Sequence, residues 1–292
     1  MQTFIQKAKT EIQSGTLYVV ATPIGNLSDI TLRALAILES ADIICAEDTR
    51  VSAKLLSAYG LKKNIISVRE HNEREMAQKI IEYLHAGKIV AQISDAGTPA
   101  ICDPGARLVS AVKEANLPVI PIPGASAVVA ALSVSGCLNE NFYFGGFLHS
   151  KKTERQKQLE YLFSLNCPVV VYETPHRILD SLQDLFRLPE RQIILAREIT
   201  KTFETFLSGS AEELINILQK DNNQMKGEMV LIITPPVKTI SSDIDNKEVN
   251  RIIDILLQQL PTKQAAQIAA EILHQPKKDM YKQILDRKET QT

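Results

Sequence analysis

The first half of the chain alternates short apolar runs with longer amphipathic stretches. The β-branched runs predict five strands, at 17–21, 41–47, 64–68, 88–94 and 117–122. The longer stretches that follow them predict five helices, at 29–40, 50–60, 72–86, 105–115 and, mainly apolar, 125–135. Because each strand is followed by a helix, the pattern favours a parallel sheet with helices on both faces.

The regular alternation of strands and helices ends at residues 136–141, where we expect a second α/β domain to begin. After an aromatic-rich run at 141–148, the pattern predicts strands at 167–173, 191–198, 202–209 and 227–234 and helices at 175–187 and 210–220. Only three residues separate the strands at 191–198 and 202–209, which predicts an antiparallel hairpin. The second sheet is therefore expected to be mixed.

We expect four segments: an N-terminal α/β domain at 1–138, a second α/β domain at 139–236, a linker at 237–246 and a helical C-terminal module at 247–292. The linker is indicated by the proline-containing and otherwise mainly polar run PPVKTISSDIDN. Three amphipathic stretches after it predict three short helices.

Composition narrows the class of protein. The 292 residues carry 33 Lys and Arg against 34 Asp and Glu, a formal charge of −1, which argues against non-specific coating of nucleic acid but leaves room for local basic patches. No apolar run is long enough for a membrane span, and the first 15 residues lack the apolar core of a secretory signal. The four cysteines have no CxxC spacing, which predicts reduced thiols in a cytoplasmic protein and no metal site.

Candidate chemistry lies in the loops after the predicted strands, because ligands of parallel α/β sheets bind outside the carboxyl ends of the strands. These loops read TPIGN (22–26), EDTR (47–50), SDAGTPAICDPG (94–105) and PIPGASA (121–127). SDAGTP brings together a carboxylate, a turn and a hydroxyl, although an Asx-turn would need the same residues. PGASA begins a helix whose N–H groups suit an anionic group. No Gly-rich dinucleotide motif or phosphate loop occurs.

EDTR, SDAGTP, PGASA and ETPHR, in this order and spacing, resemble the tetrapyrrole methylase superfamily. The likeness runs from residue 15 to about 235. Tetrapyrrole-methylating members usually have a richer glycine loop after the first strand than the Pro23–Asn26 turn of this chain. This departure favours the branch that modifies ribosomal RNA.

The resemblance implies a two-lobed enzyme that binds S-adenosylmethionine in the cleft between its α/β domains. Its implied substrate is a cytidine in the decoding region of 16S rRNA, methylated on the ribose 2′-oxygen, and its implied state is a homodimer. The 30S subunit is the expected form of this rRNA, and free rRNA is the alternative. Carried over by position, the cofactor-binding residues are Pro23, Ile24, Gly25, Asn26, Asp95, Thr98, Gly124, Ala125, Ser126, Ala127 and Tyr172.

A base that accepts the hydroxyl proton would assist the reaction. The candidate catalytic residues are Glu47, Asp48, Arg50 and His71. EDTR would equally suit a salt-bridged strand end, and His71 a surface position. Local basic clusters are the candidate RNA contacts: Lys151, Lys152, Arg155, Lys157, His176, Arg177, Lys277 and Lys278. A solvated helix face is the alternative for the lysine clusters, and a helix cap is the alternative for ETPHR.

Two other functions remain open at this point. One is C-methylation of a uroporphyrinogen-like tetrapyrrole, which would be indifferent to ribosomes. The other is a non-catalytic ribosome-assembly factor with a vestigial cofactor cleft, which would not bind S-adenosylmethionine.

Overall fold

The computed structural model describes residues 2–189, 191–235, 246–273 and 276–290. Contacts between these residues divide the chain into two compact units, before and after position 236. The predicted linker at 237–246 lies almost wholly outside the described residues. The predicted boundary at 138 stays a prediction, because the first unit contains both α/β sheets.

The first sheet is parallel, as the strand–helix alternation predicts. Its strands are β1 (Leu17–Val20), β2 (Ile43–Ala46), β3 (Ile65–Ser67), β4 (Val90–Gln92) and β5 (Val119–Ile122), in the spatial order β3-β2-β4-β1-β5. Its helices are α1 (Gln2–Thr10), α2 (Leu32–Ser40), α3 (Thr49–Ala58), α4 (Glu73–His85), α5 (Ala106–Glu114) and α6 (Ala127–Ser133). We call this sheet and its helices the first lobe.

The two faces of the first sheet are covered by different helices. Ile44 packs on one face among Leu38 of α2 and Leu56 of α3. Ile43 packs on the other face among Ile80 of α4 and Leu108 of α5. Successive strand residues therefore bury on opposite faces, which is why the strands read as continuous apolar runs rather than as alternating ones.

The second lobe is built on a mixed sheet. Its strands are β6 (Tyr143–Phe147), β7 (Val169–Glu173), β8 (Ile193–Arg197), β9 (Thr205–Gly209) and β10 (Met229–Ile233), in the order β6-β7-β10-β8-β9. Its helices are α7 (Lys152–Ser164), α8 (Ile178–Phe186) and α9 (Ala211–Lys220). Strands β8 and β9 pair antiparallel, which confirms the predicted hairpin, whereas β6 and β7 are parallel.

The two lobes share an apolar cluster at the base of the cleft between them. Val128 and Ala131 of α6, from the first lobe, pack with Val170 and Val230 of the second sheet. Ile24, from the TPIGN loop, belongs to the same cluster. This packing brings the carboxyl ends of strands from both sheets to one cleft.

The C-terminal unit has a small core of its own. It consists of α10 (Asn246–Gln259), α11 (Thr262–Ile272) and α12 (Lys277–Thr290). Ile253 of α10, Ala266 of α11 and Ile284 of α12 are fully buried in one cluster. In the described ranges, no helix has the length and apolar character needed to cross a membrane.

Candidate active site

A cavity of about 470 Å³ lies in the cleft between the lobes. Volumes of this size are typical of sites for small molecules. The first lobe contributes the loop after β4 and the start of α6, and the second lobe contributes the ends of β6, β7 and β8 and the start of β10. The cavity thus lies where ligands of open α/β sheets bind.

The loop after β4 is held in place by backbone pairing with the TPIGN loop. Thr22 and Gly97 exchange two backbone hydrogen bonds, of 2.8 and 3.1 Å. The Thr98 hydroxyl donates to the carbonyl of Ala125 at 3.2 Å, which ties the same loop to the segment before α6. Three of the predicted cofactor motifs therefore form one continuous wall.

Five of the predicted cofactor residues line the cavity. They are Ile24, Thr98, Ser126, Ala127 and Tyr172. The other six, Pro23, Gly25, Asn26, Asp95, Gly124 and Ala125, lie in the same loops but are not among the lining residues.

Two of these six carry contacts that shape the wall. Asp95 is exposed, and its Oδ1 accepts a hydrogen bond of 3.2 Å from the backbone N–H of Asp48, joining the ends of β4 and β2. Gly124 passes so close to β1 that a Cβ there would lie 2.8 Å from the Cβ of Ala21.

Aromatic rings form part of the second-lobe wall. The Tyr172 ring lies 5.1 Å from that of Phe144 and 5.3 Å from that of Phe147, whose side chain is about half exposed at the cavity. Burial, together with the nearby Cys102, Asp103 and Glu228, raises the pKa of Tyr172 to about 12. The phenol is therefore neutral at physiological pH and acts as an apolar surface with a hydrogen-bonding tip.

The ETPHR motif forms a closed hydrogen-bond network on this wall. Glu173, with a fully buried side chain, accepts from Arg177 at 3.0 Å and from Ser181 at 2.5 Å. Arg177 also donates to Thr174 at 3.1 Å and to the carbonyl of Leu148 at 3.3 Å. Most donors of Arg177 are thus engaged inside the lobe, whereas His176 is exposed.

The EDTR motif contains two carboxylates, those of Glu47 and Asp48, whose surroundings shift their pKa values in opposite directions. Asp48 caps α3 and holds Arg50 through its side chain at 2.6 Å, so the Arg50 guanidinium and the N–H groups of the helix keep the pKa of Asp48 well below its usual range. Asp48 is therefore a weak proton acceptor. Burial, with Asp95 and Asp103 nearby, instead raises the pKa of Glu47.

His71 lies apart from this arrangement. It is exposed in the turn before α4 and is not among the residues that line the cavity. Glu47 is likewise not among the lining residues, although its carboxyl has a raised pKa.

Several cavity residues were not singled out from the sequence. Asp103 lines the cavity, and burial raises the pKa of its carboxyl, against the effect of a hydrogen bond from Ser94. On the opposite wall, Lys201 pairs with Glu198 at 2.9 Å and Glu228 at 3.0 Å. Asp103 belongs to the SDAGTPAICDPG loop. The position of this loop after a strand was the sequence signal that could have identified Asp103 as a site residue. Lys201 contacts Glu228, which lies 27 residues further along the chain. The local sequence therefore gave no signal that Lys201 belongs to the site.

Arg155 is a correction to the predicted RNA contacts. Its side chain is 3% exposed and pairs with the equally buried Asp184 at 2.8 Å. It also donates to the carbonyls of His149 and Ser150, so it fixes the segment that carries the neighbouring lysines. A guanidinium buried in this way cannot reach a phosphate.

The lysines among the predicted RNA contacts are on the surface. Lys151, Lys152, Lys157, Lys277 and Lys278 are all exposed. Lys151 faces Glu154 at 3.6 Å, and Lys277 donates to Gln267 at 2.9 Å.

The residues that line the cavity are chemically compatible with S-adenosylmethionine. Apolar and aromatic side chains suit an adenosine group, and four carboxylates outnumber the one lysine among the described lining residues: those of Asp103, Glu173, Glu198 and Glu228. Such a balance suits a ligand with a positive sulfonium and ammonium.

Gly97 allows two loops to pack together at the cavity wall. It has φ +76°, and a Cβ at this position would come within 3.3 Å of the Ile24 side chain.

Comparison with known proteins adds two family matches. Residues 16–215 match the family model described as Tetrapyrrole (Corrin/Porphyrin) Methylases. Residues 243–288 match a model described as the RsmI C-terminal HTH domain. The two matches together span both units of the protein.

Curated relatives are similar over nearly the whole chain. A protein of Neisseria meningitidis serogroup A, named ribosomal RNA small subunit methyltransferase I, is 55% identical over 96% of each chain. One of the same name from Pasteurella multocida is 46% identical over 92% of this chain and 96% of its own. Among solved structures, diphthine synthase matches with a TM-score of 0.58 at 17% identity, covering 75% of this chain and 90% of that one. At that identity the match concerns the fold alone.

Proposed function

Because the chain belongs to the tetrapyrrole methylase family, we propose that it is an S-adenosylmethionine-dependent methyltransferase that methylates the ribose 2′-oxygen of a cytidine in the decoding region of 16S rRNA. The observation that carries this proposal is the 55% identity, over 96% of the chain, to a relative named ribosomal RNA small subunit methyltransferase I. That similarity includes the C-terminal unit as well as the two lobes.

The alternative functions have less support. Solved uroporphyrin-III C-methyltransferase is only 20% identical and covers 75% of this chain, so the likeness extends to the fold and not to the substrate. A vestigial cleft is not favoured either, because the cavity keeps the volume and the Asp103 carboxylate that a cationic cofactor needs.

We assign the cofactor to the cavity by the chemistry of its walls. Ile24, Ala127 and Tyr172 would enclose the apolar part, and Asp103 would face the positive part. Thr98 orients the wall through its bond to Ala125. When bound, S-adenosylmethionine supplies a methyl group already activated by the sulfonium charge.

The protein then has two tasks, to orient the ribose hydroxyl and to accept its proton. Orientation of reacting groups is worth as much as ~7–11 kcal/mol, and the rigid pairing of Thr22 with Gly97 supports such preorganisation. We propose Glu47 as the proton acceptor, because its loop is bonded through Asp48 to Asp95 of the cavity-wall loop, and because its raised pKa makes it a stronger base than an ordinary carboxylate. Asp103, on the cavity wall, is the second candidate.

The RNA is expected to meet exposed lysines of the second lobe and of the C-terminal unit. Lys151, Lys152 and Lys157 lie on or next to α7, and Lys277 and Lys278 begin α12. Each would contact phosphates without reading sequence. The substrate is proposed to be the assembled 30S subunit.

A homodimer is proposed from the apolar edges of the second sheet. Phe142 beside β6 and Phe203 and Phe206 beside and within β9 are exposed. Light scattering should therefore give twice the chain mass at micromolar concentration, and a monomer there would contradict this part of the proposal.

A transfer assay separates the functions. Purified protein with methyl-labelled S-adenosylmethionine is given 30S subunits, naked 16S rRNA or uroporphyrinogen. We expect label on 30S rRNA, resistant to alkali as a ribose methyl is. Label on the tetrapyrrole would favour the C-methyltransferase, and absence of cofactor binding by calorimetry would favour the assembly factor.

A further inference from the structure

The loop that follows β8 crosses the cleft and touches the TPIGN loop of the other lobe. The backbone N–H of Asn26 donates to the Thr200 hydroxyl at 3.1 Å, across 174 residues of chain. Among the hydrogen bonds between N and O atoms in the described ranges, this one alone joins the two lobes. It lies beside the cavity, since Ile24 on one side and Ile199 on the other both line it.

Side-chain packing reinforces the same contact. Gly25 lies directly under Lys201, so that a Cβ at Gly25 would stand 2.5 Å from Cγ of Lys201 and 2.8 Å from Oγ1 of Thr200. The absence of a side chain at Gly25 is therefore what lets the two loops touch. Gly25 has no positive φ, so its role here is space and not backbone conformation.

The loop is held in shape by charges on the cavity wall. The Lys201 ammonium lies between Glu198 and Glu228, and the N–H of Thr200 donates to Glu204 at 2.5 Å. Glu198 and Thr200 have φ of +50° and +68°, conformations that non-glycine residues adopt only when their surroundings hold them there. The loop is thus preset to present Thr200 to Asn26.

We propose that residues 198–204 form a latch across the cofactor cavity, in which Thr200 and Lys201 are positioning residues that set how fast S-adenosylmethionine enters and leaves. The inference rests on the proposed cofactor site. One hydrogen bond and one packing contact are few enough to break and re-form at each exchange, while the apolar cluster around α6 keeps the lobes joined. When the latch opens, Thr200 and Lys201 move away from Asn26 and Gly25, while Ile24 and Ile199 stay packed in that cluster.

The test compares three single variants of the full chain. Thr200→Val removes the acceptor and keeps the shape of the side chain. Gly25→Ala pushes Lys201 and Thr200 away without altering either. Thr202→Val is the matched control, because Thr202 is an exposed threonine of the same loop that makes no hydrogen bond within the described part of the chain. Dissociation of labelled S-adenosylmethionine is followed after adding excess unlabelled cofactor, and the melting temperature of each variant is measured without cofactor.

We expect Thr200→Val and Gly25→Ala each to raise the dissociation rate about two- to tenfold, the factor expected for removal of one hydrogen bond. The association rate should rise too, so the dissociation constant changes less than either rate. The double variant should be no faster than the faster single one, because both changes open the same contact. Thr202→Val should match the unchanged protein.

Equal rates for Thr200→Val and Thr202→Val would overturn the latch and leave the proposed function standing. A lower melting temperature with unchanged rates would also overturn it, since the bond would then only support the fold. If the unchanged protein does not bind S-adenosylmethionine, the proposed function fails first and the latch with it.

Discussion

The carboxylate of Glu73, at the start of α4, caps the neighbouring helix α5 through the backbone of Gly105. Its Oε1 accepts hydrogen bonds from the N–H of Gly105 at 3.0 Å and of Leu108 at 2.9 Å, and the Glu73 residue is 3% exposed. Gly105 has no side chain with which to cap the helix itself and sits at φ +130°. A side chain from another helix therefore fixes the end of the loop that forms one cavity wall.

Removing this cap should weaken both the fold and the site. Glu73→Ala leaves two buried N–H groups without an acceptor, at a cost of about 1–3 kcal/mol for each. Urea unfolding should reveal the lower stability, and calorimetry should reveal weaker cofactor binding because the 96–103 loop is no longer fixed. Glu75→Ala, an exposed position on the same helix, is the control and should change neither. Equal stability of the two variants would refute the role of Glu73.

Arg155 should matter for stability and the neighbouring Lys157 should not. Arg155→Met leaves the buried Asp184 carboxylate without its cationic partner. Breaking a buried ion pair lowers the free energy of unfolding by about 3–5 kcal/mol. Lys157 is exposed on the same helix, so Lys157→Met should change the free energy of unfolding by no more than about 0.5 kcal/mol. Thermal unfolding compares the two. If Arg155→Met unfolds like the unchanged protein but binds RNA more weakly, the RNA role predicted from the sequence would be restored.

Glu47 should give the stability a characteristic pH dependence. Its pKa in the folded protein is raised by burial and by Asp95 and Asp103, so the protonated form is favoured by folding. The stability this contributes is complete below the unfolded pKa of about 4.3 and is lost as the pH rises through the raised value. Glu47→Gln, which stays neutral, should therefore be more stable than the unchanged protein near pH 8, with the difference vanishing near pH 4.

The same variant tests the catalytic proposal for Glu47. Removal of a general base typically lowers the rate about 10²- to 10⁴-fold, so Glu47→Gln should gain stability and lose activity together. Glu70→Gln, an exposed neighbour, is the control. A variant that is stabilised but fully active would exclude Glu47 as the base and leave Asp103 as the candidate.

The C-terminal unit should contribute to RNA binding and not to cofactor binding. It has its own core, and Lys277 and Lys278 are exposed. Deleting residues 240–292 should weaken binding to 30S subunits and flatten its salt dependence by about 0.7–0.9 in log–log slope for each phosphate that the protein no longer neutralises. Cofactor affinity should be unchanged. An unchanged slope with normal activity would mean that the lysines at 151–157 bind the RNA alone.

The sequence predicted local structure better than long-range contacts. The parallel sheet and the β8–β9 hairpin follow from patterns within a few residues and are confirmed. Ser28, Asp29 and Thr31 are all residue types that cap helices, but Ser28 and Asp29 lie in a 3₁₀ turn capped by Asn26, and Thr31 caps α2. Several hydroxyl, amide and carboxyl side chains in succession all suit a cap, and only the packed helix selects one.

The site was predicted in part for the same reason. Ile24, Thr98 and Tyr172 belong to local motifs that were recognised, whereas the roles of Arg155 and Lys201 depend on partners elsewhere in the fold. Asp184 is 29 residues from Arg155, and Thr200 is 174 from Asn26. From the sequence alone, a charged residue in a basic run is predicted to be exposed to solvent, because the sequence does not show its buried partner.

The most direct test of the account maps 2′-O-methylation along small-subunit rRNA from cells with the protein, without it, and without it but supplied with Asp103→Ala. We predict one cytidine of the decoding region that carries a 2′-O-methyl group only when the unchanged protein is present, with the modification absent or strongly reduced in the Asp103→Ala strain, since Asp103 lines the cofactor cavity. An identical methylation map with and without the protein would contradict the central claim that this chain is a small-subunit rRNA ribose methyltransferase.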